Sequence, residues 1–230
     1  MRTDSLPLHK GFFVGILFLS FLHPGLSTPK AKVVPLQSGN PKTKQILESL
    51  SKRYQASGLN RLDFIYTIEN PSSDQKEEVI GTVYFQGKNY KLELNDQHFY
   101  YDGKTFWNHL ISSKEVNVQE LHTLDENIIR GPQDILNLYQ KGFKYRTLQR
   151  DQDKAEIELI PKDKDRNFFK VKLGVDIVNH KLLGFSIFYR NGNKHQYRVR
   201  KEYEIGPTES IDFFRFNAKV YPDVEIIDLR

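Results

Sequence analysis

From residue 62 to residue 118 apolar and polar residues alternate with a period of two. Leu62, Phe64, Tyr66 and Ile68 share one side of LDFIYTI, and Gly81, Val83 and Phe85 share one side of GTVYFQ. Tyr90, Leu92 and Leu94 do the same in NYKLEL, with Lys91 and Glu93 opposite, and Val116 and Val118 in EVNV. Successive side chains of a strand point to opposite faces, so this pattern predicts antiparallel strands with one buried and one wet face. The joints Gln86-Gly87-Lys88, Asn95-Asp96, Asp102-Gly103 and Ser112-Ser113 are short, which predicts hairpins and hence a meander. The pattern resumes in FKYRTLQ, KAEIELI, NFFKVKLGVDI, KLLGFSIFYR, KHQYRVRKEYEI and IDFFRF, with Asn191-Gly192 as a further hairpin turn.

Two segments follow a different period. In PKTKQILESLSKRYQ the residues Ile46, Leu47, Leu50 and Tyr54 recur every three or four positions, which predicts an amphipathic helix from Pro41 to about Gly58. GPQDILNLYQK predicts a second helix, begun at Pro132 and stopped before Gly142, with Ile135, Leu136 and Tyr139 as its apolar stripe. The sum is a mainly β chain of eleven or twelve strands and two helices, with no linker to divide it. So many antiparallel strands predict a curved sheet, part or all of a barrel, whose concave side the helices cover.

The N-terminus changes the picture of where this domain works. Arg2 and Lys10 precede the uncharged run GFFVGILFLSFL, then His23-Pro24-Gly25 breaks it and small residues follow. That predicts a signal peptide over 1–27, cut after Ser27, since a spanning helix would need ~20 apolar residues. A flexible leader is expected over 28–40 and one domain over 41–230. The full chain of 230 residues has 34 basic and 29 acidic residues; loss of Arg2, Lys10 and Asp4 leaves 32 and 28, a net charge of +4. These charges alternate in sign along strands, as in EIELIPKDKDRNFFKVK, so they read as solvated faces and not as a nucleic-acid stripe. Cysteine is absent, which excludes disulfides, thiol nucleophiles and cysteine-based metal sites.

Catalytic patterns are missing too. The histidines of the expected mature chain, His98, His109, His122, His180 and His195, show no metal-binding spacing, and no nucleophile elbow, phosphate loop or dinucleotide fingerprint occurs. No catalytic residue, metal or cofactor is therefore expected. The positive signal is apolar: 25 aromatic residues remain after residue 27, many on the inward faces of strands. They either fill an ordinary core or line an apolar cavity, and the pattern leaves both open.

The stretch YYDGKTFWNHLISSKEVNV, residues 100–118, carries the most specific arrangement. Asp102-Gly103 sets a hairpin turn, and alternation sends Phe106, Asn108 and Leu110 to one face and Trp107 and His109 to the other. Together with the first helix, the strand run, the Pro132-begun helix and Leu159-Ile160-Pro161, this D-G-K-x-x-W stretch resembles the LolA family of periplasmic outer-membrane lipoprotein carriers. The resemblance runs from about Lys44 to Ile227 and is of the divergent kind. It implies an unclosed antiparallel half-barrel of about eleven strands, lidded by two or more helices over a hydrophobic cavity. It also implies a monomeric carrier in the periplasm without catalysis or cofactor. Such a carrier takes acylated lipoproteins from an inner-membrane ABC-type releasing complex and hands them to an outer-membrane receptor where one exists.

On that basis the acyl chains are expected against Leu62, Phe64, Tyr66, Val83, Phe85, Tyr90, Leu92, Phe99, Phe169, Val171, Phe185 and Ile187. The expected lids are Ile46, Leu47, Leu50 and Tyr54 in the first helix and Ile135, Leu136 and Tyr139 in the second. The family's basic-Pro turn, which helps to latch the lid, is replaced here by Gln86-Gly87-Lys88-Asn89, leaving Lys88 as the candidate latch. The closing F-x-F-x-x-P is altered as well, with extra residues between Phe216 and Pro222. The alternative on the same half-barrel is an envelope lipid-sensing or scaffold module.

Overall fold

A computed structural model describes residues 40–72, 76–120, 132–206 and 210–230. The expected signal peptide and nearly all of the leader lie outside the described residues, as does His122.

Helix α1, Pro41–Ala56, begins where the sequence says it should. Pro41 occupies the first turn, where its missing N–H loses nothing, and the Asn40 side chain accepts the Lys42 N–H at 3.0 Å. It ends as Ser57 turns extended, its N–H and hydroxyl both donating to the Arg53 carbonyl. Helix α2, Pro132–Asn137, is shorter and continues as a 3₁₀ turn over Leu138–Gln140.

Twelve strands form one sheet. They are β1 (Leu59–Glu69), β2 (Lys76–Gln86), β3 (Asn89–Leu94), β4 (Gln97–Tyr101), β5 (Thr105–Leu110) and β6 (Glu115–Glu120), then β7 (Phe143–Arg150), β8 (Lys154–Pro161), β9 (Phe168–Asp176), β10 (Lys181–Tyr189), β11 (Lys194–Gly206) and β12 (Glu225–Asp228). The order across the sheet is β12-β6-β5-β4-β3-β2-β1-β11-β10-β9-β8-β7. Among the described residues neither end pairs with the other, so the sheet is an open half-barrel. Within it the two meanders, β1–β6 and β7–β11, meet along the long β1–β11 pair.

Two local expectations fail. IDFFRF is a 3₁₀ helix over Ile211–Phe214, capped by the Ser210 hydroxyl accepting the Asp212 N–H, and not a strand. The last strand is instead EIID, which adds to β6 in parallel, the one parallel pair in the described sheet. Ring packing explains the first. Phe214 is buried and Phe213 lies edge-on to Tyr84 at 5.3 Å; a tight helical turn delivers both rings to the sheet where an extended strand would point one away.

The principal core lies between the concave face and the helices. The Leu62, Phe64, Val83, Phe85, Tyr90 and Val171 side chains join those of Leu47, Leu50, Tyr54, Ile135 and Leu136 in one buried cluster. Gly81 belongs to that face for a steric reason: a Cβ there would lie 2.5 Å from the Phe64 ring and 2.7 Å from Leu94. A second, smaller cluster lies on the outer face, where residues 213–221 cover β3–β5. Here His109 touches Tyr221 at 4.6 Å and Phe216 at 5.1 Å between ring centres, and Tyr100 meets Phe216 at 6.0 Å.

Candidate functional site

The concave face is built by cross-strand pairing. Leu62 opposes Val83, which opposes Leu92, which opposes Phe99. On the other side of β1, Tyr66 opposes Tyr197, which opposes Phe185, and Val171 opposes Ile187. Residues paired this way share a face, so the apolar positions read from alternation converge on one surface. The structure buries Leu62, Phe64, Val83, Phe85, Tyr90, Val171 and Ile187 there, and packs Tyr66, Leu92, Phe99 and Phe185 half-buried around them. Tyr66, Tyr197 and Phe185 form a stack, with ring centres 4.7 and 4.4 Å apart.

Phe169 is the exception. Strict alternation puts it beside Val171, but the β9–β10 register shifts between the pairs Phe188–Lys170 and Tyr189–Phe168. That bulge places an extra residue in β9 and reverses the parity. Phe168 therefore turns inward, 1 % exposed, and Phe169 turns out onto the convex face, 41 % exposed.

Both lids lie on the concave face. Leu47, Leu50, Tyr54, Ile135 and Leu136 are buried against it, while Ile46 and Tyr139 pack half-buried at the margin. The Ser51 hydroxyl donates to Asn137 Oδ1 at 3.0 Å and ties the two helices together. At the N-terminal end of α1 the Thr43 and Thr147 hydroxyls lie 2.8 Å apart, joining the helix to the edge strand β7.

The strongest attachment was not legible in the sequence. Glu202 of β11 opposes Leu62, so it faces α1 with its side chain 6 % exposed. It accepts the Arg53 guanidinium at 2.9 Å and the Tyr54 hydroxyl at 3.1 Å. Tyr54 in turn accepts the Leu182 N–H at 3.1 Å, and Arg53 also reaches Glu204 at 2.6 Å. Burial, then the Glu202 charge, pushes the Tyr54 hydroxyl well above the ordinary tyrosine range, so it is a fixed donor at any physiological pH. Strict alternation from Tyr197 and Val199 would leave Glu202 and Glu204 on the wet face; the β1–β11 register shifts between the pairs Asp63–Lys201 and Phe64–Val199, and that bulge in β11 turns Glu202 inward.

Lys88 is elsewhere. Its aliphatic stem crosses the tip of the β4–β5 hairpin, so close that a Cβ on Gly103 would lie 2.2 Å from Lys88 Cε. Gly103 also has φ +90°, which glycine adopts without strain. Among the described residues Lys88 forms no ion pair, and the bonds that hold the helices run through Glu202, Thr147 and Asn137 instead.

Trp107 and His109 share a face, as alternation predicts, and the structure shows it to be the outer one. Trp107 opposes Tyr100 and Val118, and His109 opposes His98 and Val116. His98 and His109 are thus direct cross-strand neighbours, with ring centres 6.2 Å apart, and each has a buried Nδ1 without a partner among the described residues.

A crystal structure of an uncharacterized conserved protein from Thermus thermophilus shares the fold, with a TM-score of 0.51 and 12% identity over 81% of this chain and 99% of that one. A LolA superfamily protein from Nitrosomonas europaea matches with a TM-score of 0.40 and 12% identity over 77% and 96% of the two chains. LprF from Mycobacterium bovis matches with a TM-score of 0.41 and 16% identity over 76% and 98%. No curated protein matches. The family model for the outer membrane lipoprotein carrier protein LolA matches residues 70–193, more than half of the sequence and the stretch from the β1–β2 turn to the β10–β11 turn. The chain belongs to the family of the outer membrane lipoprotein carrier protein LolA.

Proposed function

We propose that this protein binds the acyl chains of lipoproteins against its concave face and carries them across the periplasm, from an inner-membrane ABC-type releasing complex toward the outer membrane. The site would be Leu62, Phe64, Val83, Phe85 and their half-buried neighbours Tyr66, Leu92, Phe99 and Phe185. Their role is burial and not catalysis.

One observation carries the reading: the concave face is apolar and is covered by two helices whose apolar side chains pack on it. Leu47, Leu50, Ile135 and Leu136 bury their side chains against it. Each such burial contributes about 1.5–3 kcal/mol. An acyl chain of ~15 methylenes gains on the order of 12 kcal/mol gross on leaving water. Cargo and lid thus compete for the same surface. The net grip is the difference between them, so the lid lowers the cost of handing cargo on.

The test is direct. Purified protein mixed with a triacylated lipopeptide should bind it stoichiometrically by native mass spectrometry, and should release lipoproteins from spheroplasts. Absence of both would refute the reading. Depletion in the cell should trap lipoproteins in the inner membrane, whereas loss of a lipid sensor would alter only a stress response.

A further inference from the structure

Both irregularities of the β9–β10 ladder have the same effect. The first turns Phe169 outward. The second, between Leu182 and Gly184, buries Leu182 and turns Leu183 outward, leaving it 37 % exposed over Gly174. Strict alternation would have buried both. A bulge re-aims side chains, and here two of them put apolar residues onto a convex face that needs none.

Each outward residue has cations beside it. Lys170 Nζ lies 4.2 Å from the Phe188 ring centre and 5.5 Å from that of Phe169, and Lys194 Nζ lies 6.0 Å from Phe188. Near Leu183, Arg198 opposes Gly184 and is exposed, as are Arg200 and Lys201 further along β11. The two ends of the patch, marked by Phe188 and Gly184, are about 13 Å apart at ~3.3 Å per residue. Most of its neighbours are neutralised: Lys172 by Glu156, Arg61 by Asp63 and Lys194 by Glu69. Lys170, Arg198, Arg200 and Lys201 have no carboxylate partner among the described residues. This face is therefore both apolar and net positive, away from the lids and from both sheet edges.

We propose that the convex face of β9–β11 docks on an anionic lipid bilayer, with Phe169 and Leu183 entering the headgroup layer and Lys170, Arg198, Arg200 and Lys201 meeting lipid phosphates. Rings and aliphatic side chains flanked by lysine and arginine suit the boundary between water and hydrocarbon. The face has no free strand edge, so a peptide cannot add to it as a further strand. Charge complementarity and shallow apolar anchors are what it offers, and an acidic bilayer surface answers both. The docking does not depend on the acyl-binding reading, because it uses the opposite side of the sheet.

Flotation with vesicles tests it. The protein should rise with equimolar phosphatidylcholine and phosphatidylglycerol at low salt, come off at high salt, and stay behind with phosphatidylcholine alone. Lys170→Ala and Arg198→Ala should each weaken binding about fivefold, as expected for one cation at an anionic surface. Phe169→Ser should weaken it while leaving the salt dependence intact. Among the described residues none of the three side chains takes part in an ion pair, so unchanged melting curves are expected. Equal binding by wild type and variants, equal binding to uncharged vesicles, or no flotation would overturn the proposal. So would wild-type binding to polyglutamate but not to vesicles, which would make the partner an acidic polypeptide. Flotation lost on Leu47→Asp but kept by the convex-face variants would move the contact to the lids and overturn it equally.

Discussion

Arg215 Nε donates to Asp102 Oδ2 at 2.8 Å, joining a hairpin turn to a segment 113 residues further along the chain. The other carboxylate oxygen of Asp102 accepts the N–H groups of Lys104 at 3.1 Å and Thr105 at 2.9 Å. One side chain thus shapes the β4–β5 turn and fixes the C-terminal segment across the outer face. Burial alone would raise its pKa, but the Thr105 N–H, the Arg215 guanidinium and the Lys104 N–H outweigh it and hold the carboxyl below its usual range.

Asp102→Ala should therefore destabilise the fold by about 1–3 kcal/mol, the usual consequence of leaving such donors without an acceptor. Asp102→Asn should fall between the two, because it keeps the turn bonds and loses the charge. The folded pKa is depressed, so the ionic part of this contribution is complete above the unfolded value of ~3.9 and is lost as pH falls through the folded value. Urea midpoints measured from neutral to acid pH should show the gap between wild type and Asp102→Asn closing at the acid end.

Tyr54→Phe addresses the lid. It removes the donor to Glu202 and the acceptor for the Leu182 N–H, both buried, and should lower stability by about 1–3 kcal/mol. Because the lost bonds join α1 to β10 and β11, the loss should concentrate there. Hydrogen exchange should speed up in α1 before it does in β1 or β8, and acyl uptake should become faster.

His109 is 1 % exposed and its Nδ1 has no partner among the described residues, so the native state favours the neutral ring. Burial first, and then the neighbouring His98, lower its pKa, while Asp96 opposes them. His98 is lowered as well, by burial, with Glu93 opposing and Lys91 adding. From the C-terminal segment Tyr221 packs on His109. With the folded pKa depressed, stability is complete above the unfolded value of ~6.5 and declines as pH falls below it. His109→Phe fits between Phe216 and Tyr221 and should flatten that decline, by on the order of 1 kcal/mol between about pH 7 and pH 5. His98 would supply what slope remains. An unchanged pH profile would show that the outer cluster opens without protonation of His109.

The legible parts of this fold are those that a period encodes. Val83, Phe85, Leu92 and Phe99 reach the concave face because regular hairpins keep their parity, and Trp107 and His109 share the face opposite Phe106 by the same rule. The illegible parts come from single-residue events that break the period. The bulge at Phe169 leaves composition and spacing untouched, yet it exchanges the roles of Phe168 and Phe169. IDFFRF has strand composition, but two consecutive phenylalanines both go to the sheet, which a helical turn allows and a regular strand does not. Glu202 escaped notice because a carboxylate in a charge-rich strand looks solvated until α1 brings Arg53 and Tyr54 to it. The Lys88 latch came from the family's pattern, and the β4–β5 hairpin holds that side chain instead.

The last prediction uses the absence of cysteine. Thr43 of α1 and Thr147 of β7 bring their hydroxyls within 2.8 Å, which makes this pair the place to join the helix to the edge strand by a disulfide. A Thr43→Cys/Thr147→Cys variant would form the only bridge, since no native thiol competes. If acyl chains enter by lifting α1 from the sheet, the oxidised variant should take up a fluorescent fatty acid at least about tenfold more slowly than wild type, equivalent to ~1.4 kcal/mol or more of added barrier. Reduction should restore the rate, which separates a locked lid from a damaged fold. Uptake at the wild-type rate in the oxidised form would mean that the N-terminal end of α1 stays seated during entry. Opening would then have to occur at α2 or at the Tyr54–Glu202 end, and Tyr54→Phe in the oxidised background would tell these apart, because only the second route should respond to it.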